Sequence, residues 1–243
     1  MNLIIDVGNS YTKLAVFKEA KLLEKEPVRP SVFLKEVRKI IKKHPEITNA
    51  IVSSVGKLKE QDLKALKEQL NVVLLSAKSK LPFKNLYATP STLGIDRIAL
   101  VCASVSQFPD KNVLIIDAGT CITYDFIDYK NDYYGGAISP GISLRYKSLN
   151  TFTANLPLLD FKAPDNFIGN STENAIHSGV IYGVINEIKG VIDSYEEKYR
   201  DLTVILTGGD AKFLSKQLKS SIFANSNFLL EGLNYILHFN LNE

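Results

Sequence analysis

The sequence predicts an α/β protein of two tandem domains, each with a mixed five-stranded sheet covered by helices. The main observation is a repeat, since Leu-Ile-Ile-Asp occurs at residues 3–6 and again at residues 114–117. In both copies one residue and then a glycine follow the aspartate, and a second strand-like segment comes next. Each copy is the first of three predicted strands, after which helices and strands alternate, as is typical of a mixed sheet.

The first half of the chain reads as βββαβαβα. Short segments rich in apolar and β-branched residues predict the strands, and apolar positions at helical spacing predict the helices. Pro30 precedes the first predicted helix and Pro45 follows it, which is where proline is tolerated. The predicted strands are 3–6, 12–17, 21–24, 50–55 and 71–76, and the predicted helices are 31–43, 59–69 and 91–108.

The second half repeats this order with longer helical segments. Its longest helix carries an apolar residue at almost every fourth position, from Ile176 to Ile192, which indicates one buried face. The short polar joint Pro109-Asp110-Lys111 predicts domains at 1–110 and 111–243. The predicted strands are 112–117, 122–127, 133–138, 202–206 and 222–224, and the predicted helices follow Pro140-Gly141 and span 172–199, 211–218 and the segment after 229.

Composition excludes several classes of protein. Hydrophobic residues make up 45% of the 243 residues and charged residues 23%, as in globular proteins with an apolar core. A net charge of +3 is too small to indicate a nucleic-acid partner. The most basic stretch, Lys35 to Lys43, has apolar residues at helical spacing and is interpreted as the solvated face of a helix.

The two cysteines, Cys102 and Cys121, belong to no CxxC pair, so we expect reduced, buried side chains and neither a disulfide nor a metal site. The sequence starts directly with a strand, and no apolar run approaches about 18 residues. We therefore expect no signal peptide, no membrane span and a cytoplasmic protein.

The turn after the first repeat, Asp6-Val7-Gly8-Asn9-Ser10, is a candidate phosphate site. A carboxylate there can hold Mg²⁺, glycine allows close approach of the backbone, and free amide groups can bind phosphate oxygens. Thr12 could add a donor and Lys13 a positive charge. An ordinary β-hairpin explains one such turn equally well. The second copy, Asp117-Ala118-Gly119-Thr120, favours nucleotide binding by two similar turns.

A third glycine turn, Thr207-Gly208-Gly209-Asp210, separates a predicted strand from a helix. It suits close approach of a flat or charged ligand, although a helix cap by Asp210 explains it too. The patterns GxxxxGK[ST] and GxGxxG are both absent from the sequence, so phosphate binding would depend on hairpin turns.

The segment Gly94-Ile95-Asp96-Arg97 places two charges early in an otherwise apolar predicted helix. One interpretation is structural, with Asp96 favoured near the helix N-terminus and Arg97 on the solvated side. The other is functional, with Asp96 as the acceptor of a proton from a substrate hydroxyl and Arg97 as the group that fixes an anion. Phosphoryl transfer needs such a carboxylate.

The ordered set of motifs resembles the type III pantothenate kinases. The set consists of the three turns at 6–10, 117–120 and 207–210, the segment Gly94–Arg97, and the pairs Gly135-Gly136 and Pro140-Gly141. The resemblance covers Met1 to about Leu233. That family belongs to the actin-like ATPase superfamily, with two ribonuclease H-like domains and a cleft between them. The resemblance implies ATP-dependent phosphorylation of pantothenate to 4′-phosphopantothenate, the first step of coenzyme A biosynthesis.

The resemblance also implies roles for individual residues. Asp96 is the catalytic proton acceptor, Asp117 holds a monovalent cation, K⁺ or NH₄⁺, and Asp6 lies near Mg²⁺. A homodimer is implied as well. The implied ATP-binding residues are Asp6, Val7, Gly8, Asn9, Ser10, Tyr11, Thr12, Lys13 and Thr120. The implied pantothenate-binding residues are Tyr87, Gly94, Ile95, Asp96, Arg97 and Thr172.

Small departures and two alternatives accompany this resemblance. Cys121 stands where alanine is expected, and segment 158–170 has no motif. His177, close to Thr172, is interpreted as structural.

The alternatives are a kinase of the same superfamily with another acceptor, and a non-catalytic nucleotide-binding regulator. A regulator has no need of a catalytic base such as Asp96.

Overall fold

The computed structural model describes residues 1–8, 11–54, 58–76, 79–218 and 222–241. The chain forms two compact units, each containing one mixed sheet. The first unit contains Met1–Pro109, Asn131–Tyr133 and Asn227–Glu243, and the second contains Asp110–Lys130 and Tyr134–Ser226. The sequence places 131–133 and 227–243 in the C-terminal domain instead.

The first unit is built on a five-stranded sheet with strand order β3-β2-β1-β4-β5. Its strands are β1 (Asn2–Val7), β2 (Thr12–Lys18), β3 (Lys21–Val28), β4 (Asn49–Ser54) and β5 (Asn71–Leu74), and it also contains the two-residue strand β6 (Lys84–Asn85). Its helices are α1 (Phe33–Lys43), α2 (Glu60–Lys67), α3 (Ile95–Gln107) and α7 (Phe228–Leu241). The first three strands are antiparallel neighbours, and β4 and β5 continue the sheet in parallel.

The first Leu-Ile-Ile-Asp copy forms the central strand β1. All six of its residues are buried, because β2 and β4 cover both edges and helices cover the faces. One face contributes Leu3, Ile5 and Val7 to a core that also contains Phe33, Val37 and Ile40 of the α1 region. In α1 these apolar positions are spaced three and four residues apart, which places them on one side of the helix.

The last helix, α7, packs on α3 and on strands β1 and β4. Asn2 Nδ2 donates a buried hydrogen bond to Asn234 Oδ1 at 2.9 Å, and Asn234 Nδ2 donates to the carbonyl of Glu19 at 2.8 Å. Gly232 lies so close to α3 that a Cβ atom there would be 1.9 Å from the carbonyl oxygen of Ala99. These contacts explain why the C-terminal segment belongs to the first unit.

The second unit repeats the arrangement around the second Leu-Ile-Ile-Asp copy. Its strands are β7 (Asn112–Ala118), β8 (Cys121–Ile127), β9 (Asp132–Pro140), β10 (Leu202–Thr207) and β11 (Phe223–Ala224), and its helices are α4 (Ile142–Thr151), α5 (Thr172–Lys198) and α6 (Ala211–Leu214). Strand β7 is central, antiparallel to β8 and parallel to β10. It therefore occupies the same position as β1 between β2 and β4.

The apolar face of α5 packs on this second sheet. Ile176, Val180, Val184, Ile188 and Ile192 all belong to one buried cluster with the inner faces of β7, β8 and β10. The predicted apolar stripe of the longest helix is thus confirmed. The stripe extends over more than four turns of α5.

Two differences from the expected elements are small but affect the candidate site. The third helix begins at Ile95, not at residue 91, because Pro90–Thr92 form a separate 3₁₀ turn and Leu93 is extended. The two-residue strand β6, absent from the predicted elements, pairs in parallel with Asp132 and Tyr133 at the start of β9. It adds a sixth strand to the sheet that was expected to have five.

The described residues bear on the expectations about membrane spans and about the two cysteines. No helix in these ranges combines the length and the apolar character that crossing a membrane requires. Both cysteines are free thiols, with Cys102 buried, as expected, and Cys121 exposed. The expectation of a buried Cys121 was wrong because the residue stands at the outer end of β8, beside the turn.

Candidate active site

The candidate site in the first unit begins with the turn between β1 and β2. In the antiparallel register Asp6 lies opposite Lys13, and Val7 lies opposite Thr12. The pairing places the Lys13 ammonium group 3.5 Å from Asp6 Oδ2. Thr12 is 2% exposed, so its hydroxyl belongs to the interior side of the hairpin.

Gly8 and Tyr11 are the described residues on the two sides of this turn. The amide of Gly8 donates a hydrogen bond to the carbonyl of Tyr11 at 3.1 Å, and a Cβ atom on Gly8 would lie only 3.0 Å from the same oxygen. A residue with a Cβ atom at this position would therefore require a small shift of the Tyr11 carbonyl. Asn9 and Ser10, also predicted to bind phosphate, lie outside the described residues.

Asp6 is an unusual carboxylate because it is only 6% exposed. Burial raises the pKa of Asp6 above its ordinary value of 3.8, although Lys13 lowers it, and the negative charge of Asp96 raises it further. Asp6 and Asp96 are therefore near enough to repel each other. Such pairs of carboxylates in one region are typical of sites that bind cations or move protons.

The buried carboxylate of Asp6 is expected to lower the stability of the fold at neutral pH. Because the pKa of Asp6 is raised in the folded chain, stability falls as pH rises from about 3.8 through the folded-state pKa. Asp6→Asn should therefore unfold at higher urea concentration than the unsubstituted chain at pH 7, with a smaller difference near pH 4.

Two features make this stability test specific. Lys13 would stay hydrated beside the asparagine, since its side chain is 57% exposed. Asp165→Asn, in an exposed part of the chain, is the matched control and should change stability little at either pH. A less stable Asp6→Asn protein at pH 7 would contradict the proposed cost of burying this charge.

The segment Gly94–Arg97 forms the start of α3. Gly94 is the N-cap residue, and Asp96 stands in the first turn, where the helix dipole favours a negative charge. Asp96 Oδ1 accepts a hydrogen bond from the amide of Arg97 at 2.9 Å. A Cβ atom on Gly94 would lie 2.4 Å from this same oxygen, so glycine leaves room for the carboxylate to turn back over the helix start. Ile95 and Asp96 are both half-buried.

Arg97 is 5% exposed, so the structural interpretation that placed it on the solvated side of the helix is wrong. Its guanidinium carbon lies 5.6 Å from the centroid of the Tyr87 ring, within the range of a cation–π contact. The Tyr87 ring stacks on Tyr133, with the centroids 6.3 Å apart. Asn85 Oδ1 accepts a hydrogen bond from the amide of Tyr87 at 3.0 Å.

Residues predicted from separate parts of the sequence thus lie together in the first unit. The aromatic ring of Tyr87 lies against Arg97, and Asp96 of the same helix start interacts electrostatically with Asp6 of the first turn. Their arrangement combines a buried carboxylate, a half-buried carboxylate and a buried guanidinium. Such a set can bind a cation, accept a proton and hold an anion.

The candidate site in the second unit begins with the turn between β7 and β8. Asp117 at the end of β7 is half-buried, and Thr120 at the tip is exposed. The amide of Gly119 donates to the carbonyl of Cys121 at 2.9 Å, and the amide of Gly141 donates to the carbonyl of Thr120 at 3.0 Å. The turn is therefore held both by its own hairpin and by the start of α4.

The third glycine turn lies directly against Asp117. Gly208 has φ +95°, and a Cβ atom there would lie 2.4 Å from Asp117 Oδ1 and 2.3 Å from the carbonyl oxygen of Ala118. Two oxygen atoms therefore converge on a point that only glycine leaves open. A substitution at position 208 would therefore displace the Asp117 carboxylate, which is itself an oxygen ligand of the kind that suits a hard cation.

Asp210 does not cap α6 as expected. It occupies the N-cap position, but its side chain makes no capping hydrogen bond. Its amide instead donates to the carbonyl of Ala118 at 3.0 Å, which joins the third turn to the second. Burial raises the pKa of Asp210 above its ordinary value.

Thr172 is the first residue of α5, and its exposed side chain lines a cavity of about 590 Å³ between α4 and α5. The preceding Ser171 caps the helix by accepting a hydrogen bond from the amide of Asn174 at 3.2 Å. His177 is buried, and its Nδ1 lies 2.8 Å from the hydroxyl of Tyr146. This contact supports the structural interpretation of His177.

The described ranges contain no group of three or more His, Cys, Asp or Glu residues that could hold a metal ion. Mg²⁺ does not require one, because it keeps several waters and uses one or two carboxylates together with substrate phosphates. A single buried carboxylate such as Asp6 fits that mode of binding.

One set of residues was not predicted at all. In the second unit Arg145 of α4, Glu187 of α5 and Tyr124 of β8 form a hydrogen-bonded network beside the turn. Pattern alone gave little sign of it, because the three residues are far apart in sequence. The one local sign of the network was that Arg145 follows Gly141 by one helical turn.

The family model for type III pantothenate kinase matches residues 2–194. A type III pantothenate kinase of Christiangramia forsetii is 55% identical over 240 residues, covering 99% of each chain. This chain belongs to the type III pantothenate kinase family.

Solved structures show the fold. A protein of Campylobacter jejuni described as a putative Baf family transcriptional activator is 24% identical and has a TM-score of 0.65, covering 99% of this chain and all of that one. A putative N-acetylmannosamine kinase of Listeria monocytogenes is 13% identical with a TM-score of 0.59, covering 99% of each. The predicted α/β fold, with two tandem domains that each contain a mixed sheet and helices, is confirmed for this type III pantothenate kinase family member.

Proposed function

We propose that this chain transfers the γ-phosphoryl group of ATP to pantothenate, giving 4′-phosphopantothenate in the first step of coenzyme A biosynthesis. Membership of the type III pantothenate kinase family supports the reaction. The observation that carries the proposed mechanism is the position of Asp96. It stands at a helix start next to a buried arginine and close enough to Asp6 for their charges to interact.

The ATP phosphates are assigned to the two repeated turns. In the first unit the assigned residues are Asp6, Val7, Gly8, Asn9, Ser10, Tyr11, Thr12 and Lys13. Lys13 can neutralise phosphate charge because its ammonium group is mostly exposed while it faces Asp6. In the second unit Thr120 is assigned to ATP, and its position at an exposed turn tip supports that role.

Pantothenate is assigned to Tyr87, Gly94, Ile95, Asp96, Arg97 and Thr172. Pantothenate carries a carboxylate, and a buried guanidinium stacked on an aromatic ring is pre-organised to bind one. Holding that carboxylate would fix the hydroxyl end of the substrate relative to Asp96. Gly94 contributes by leaving space for the Asp96 carboxylate.

The chemical step needs a proton acceptor for the substrate hydroxyl. As the hydroxyl oxygen forms a bond to the γ-phosphorus, its proton passes to the Asp96 carboxylate, and the bond to the bridging oxygen breaks to release ADP. The amide of Arg97 holds Asp96 Oδ1, so the orientation of the carboxylate is set before substrate binds. Such pre-organisation lowers the cost of reaching the transition state.

Two ions complete the proposal. Mg²⁺, held near Asp6, would screen the charge of the triphosphate. A monovalent cation, K⁺ or NH₄⁺, would be held by the carboxylate of Asp117, against which Gly208 packs closely. We also propose that the protein is a homodimer and works in the cytoplasm, where its co-substrate ATP is found.

The experiment that tests this function is an ADP-release assay with pantothenate and a panel of other hydroxyl acceptors, in K⁺ buffer and in choline buffer. We expect turnover with pantothenate, little with sugars, and at least a tenfold decrease, about 1.4 kcal/mol, when choline replaces K⁺. Preferential turnover of another acceptor would indicate a different kinase of the superfamily. ATP binding without turnover of any acceptor would favour a regulator, and equal activity in both buffers would contradict the role of Asp117.

A further inference from the structure

Arg145 makes an unusual number of hydrogen bonds for a residue in the first turn of a helix. Its amide donates to the carbonyl of Gly141 at 3.1 Å, as the helix requires. Its side chain donates from Nε to the carbonyl of Pro140 at 2.8 Å and from Nη2 to Ser139 Oγ at 2.9 Å. One arginine thus holds the three residues that lead from β9 into α4.

The segment held by Arg145 supports the turn that carries Thr120. The amide of Gly141 donates to the carbonyl of Thr120 at 3.0 Å. A Cβ atom on Gly141 would lie 2.1 Å from the carbonyl oxygen of Gly119 and 2.6 Å from that of Thr120. Backbone therefore packs on backbone here with no side chain between, so a shift of Pro140-Gly141 must move the turn.

Arg145 is itself held in place by a second set of contacts. Its Nη2 also donates to Glu187 Oε2, and Glu187 Oε1 accepts a hydrogen bond from the hydroxyl of Tyr124 at 2.9 Å. Burial alone would raise the pKa of Glu187, but the hydrogen bonds from Arg145, Ser139 and Tyr124 lower it below its usual value. Burial and the contact with Glu187 raise the pKa of Tyr124, so its hydroxyl stays protonated and donates.

The network begins and ends on the same hairpin. Tyr124 stands on β8, where it lies opposite Ile116 of β7, and Thr123 lies opposite Asp117. The Thr120 turn joins these two strands. The hydrogen bonds therefore run from β8 through Glu187 and Arg145 to Pro140-Gly141 and back to the tip of the hairpin, which closes a ring around the turn.

We infer that Arg145 is a positioning residue for nucleotide binding, which holds the Gly119–Thr120 turn in place through Pro140-Gly141, with Glu187 and Tyr124 fixing the guanidinium. The inference rests on the proposed role of this turn in binding ATP. Arg145 touches the turn only through Pro140-Gly141 and has no assigned contact with substrate. Its effect is therefore on the geometry of the turn.

The expected consequence is selective weakening of nucleotide binding. Arg145→Met keeps an unbranched apolar stem and removes the guanidinium group with its side-chain hydrogen bonds. Outer partners that orient metal ligands typically change metal affinity by about 10- to 100-fold when lost, and we expect the Kd for ATP to rise by a similar factor. Tyr124→Phe removes a single hydroxyl group and should raise the Kd by about three- to tenfold.

The experiment measures ATP binding by calorimetry, the KM for ATP and for pantothenate, and amide hydrogen exchange at Gly141 by NMR. In Arg145→Met we expect a higher Kd and KM for ATP, an unchanged KM for pantothenate and faster exchange at Gly141. Lys147→Met, an exposed lysine two residues further along α4, is the matched control and should match the unsubstituted chain in all readouts.

Two other results of the Arg145→Met experiment would contradict the inference. An unchanged Kd for ATP in a folded Arg145→Met protein would overturn it. So would a raised KM for pantothenate with a normal KM for ATP, because Arg145 also lines the 590 Å³ cavity with Thr172 and that result would assign it to the cavity. If Arg145→Met does not fold, Tyr124→Phe provides the same test.

The binding measurement separates this inference from the proposed function. Unsubstituted protein that binds ATP without phosphorylating pantothenate would refute the proposed reaction, while the change in Kd in the variants would still decide the role of Arg145. Unsubstituted protein that binds no ATP would overturn both.

Discussion

Replacing Asp96 with asparagine is expected to lower kcat by about 10²- to 10⁴-fold, the usual loss when a general base is removed. Asparagine has nearly the same shape, and its carbonyl oxygen can still accept the hydrogen bond that the amide of Arg97 donates to Asp96 Oδ1. The fold and the binding of pantothenate should therefore change little. Steady-state kinetics with both substrates, together with urea unfolding, would measure the effect.

The control for this prediction is Asp62→Asn. Asp62 also stands in the first turn of a helix, α2, so that substitution removes a comparable interaction with a helix dipole without touching the candidate site. It should leave kcat unchanged. Near-normal turnover by a folded Asp96→Asn protein would show that another group accepts the proton.

Gly208→Ala is expected to reduce kcat/KM for ATP by about 10²-fold, as a displacement of about 1 Å within an active site can. The residue has φ +95°, where a side chain is strained, and its new Cβ atom would overlap the carbonyl oxygen of Ala118 and Asp117 Oδ1. Both oxygens must move, and with them the proposed site for the monovalent cation. The K⁺ concentration for half-maximal activity should therefore rise, which titration with KCl would measure.

A matched substitution for Gly208→Ala is Gly190→Ala in α5. No atom lies within 4 Å of a Cβ atom at that position, so alanine should be accepted and should stabilise the helix slightly. If Gly208→Ala kept both normal activity and a normal response to K⁺, the role of this glycine at the Asp117 turn would be refuted.

The central features of the fold could be predicted from the sequence because they depend on local patterns. The repeated Leu-Ile-Ile-Asp is a run of apolar residues, and such runs are buried on both faces of a mixed sheet. Both copies form central strands. The pairing of Asp6 with Lys13 also follows from the hairpin, since strands joined by a short turn face each other in register.

The features that could not be predicted depend on distant contacts. Helical spacing in α7 indicates an apolar face but not which sheet it covers, and the buried pair of Asn2 and Asn234 decides that. Likewise, the burial of Arg97 requires the ring of Tyr87 from another segment. A helix start such as Ile95 was predicted four residues early because Pro90 begins a separate turn.

The candidate site divides in the same way. The aspartates, the glycines and the Gly94–Arg97 segment were found in the sequence, and their proposed roles came from resemblance to a family that the chain is now shown to join. Arg145 was missed because its contact with Glu187 spans 42 residues of sequence. No local sequence pattern distinguishes an arginine whose guanidinium group holds a turn by hydrogen bonds from an arginine that is exposed to solvent.

The position of α7 has a consequence for how the protein is made. The first unit contains both the beginning of the chain and residues 227–243. During synthesis, strand β1 therefore lacks its packing partner α7 until the whole of the second unit has been translated. Until then the apolar side of α3 that Gly232 contacts is uncovered. The second unit has its own core and no such delay. Synthesis therefore favours completion of the second unit first, the reverse of the usual N-terminal-first order.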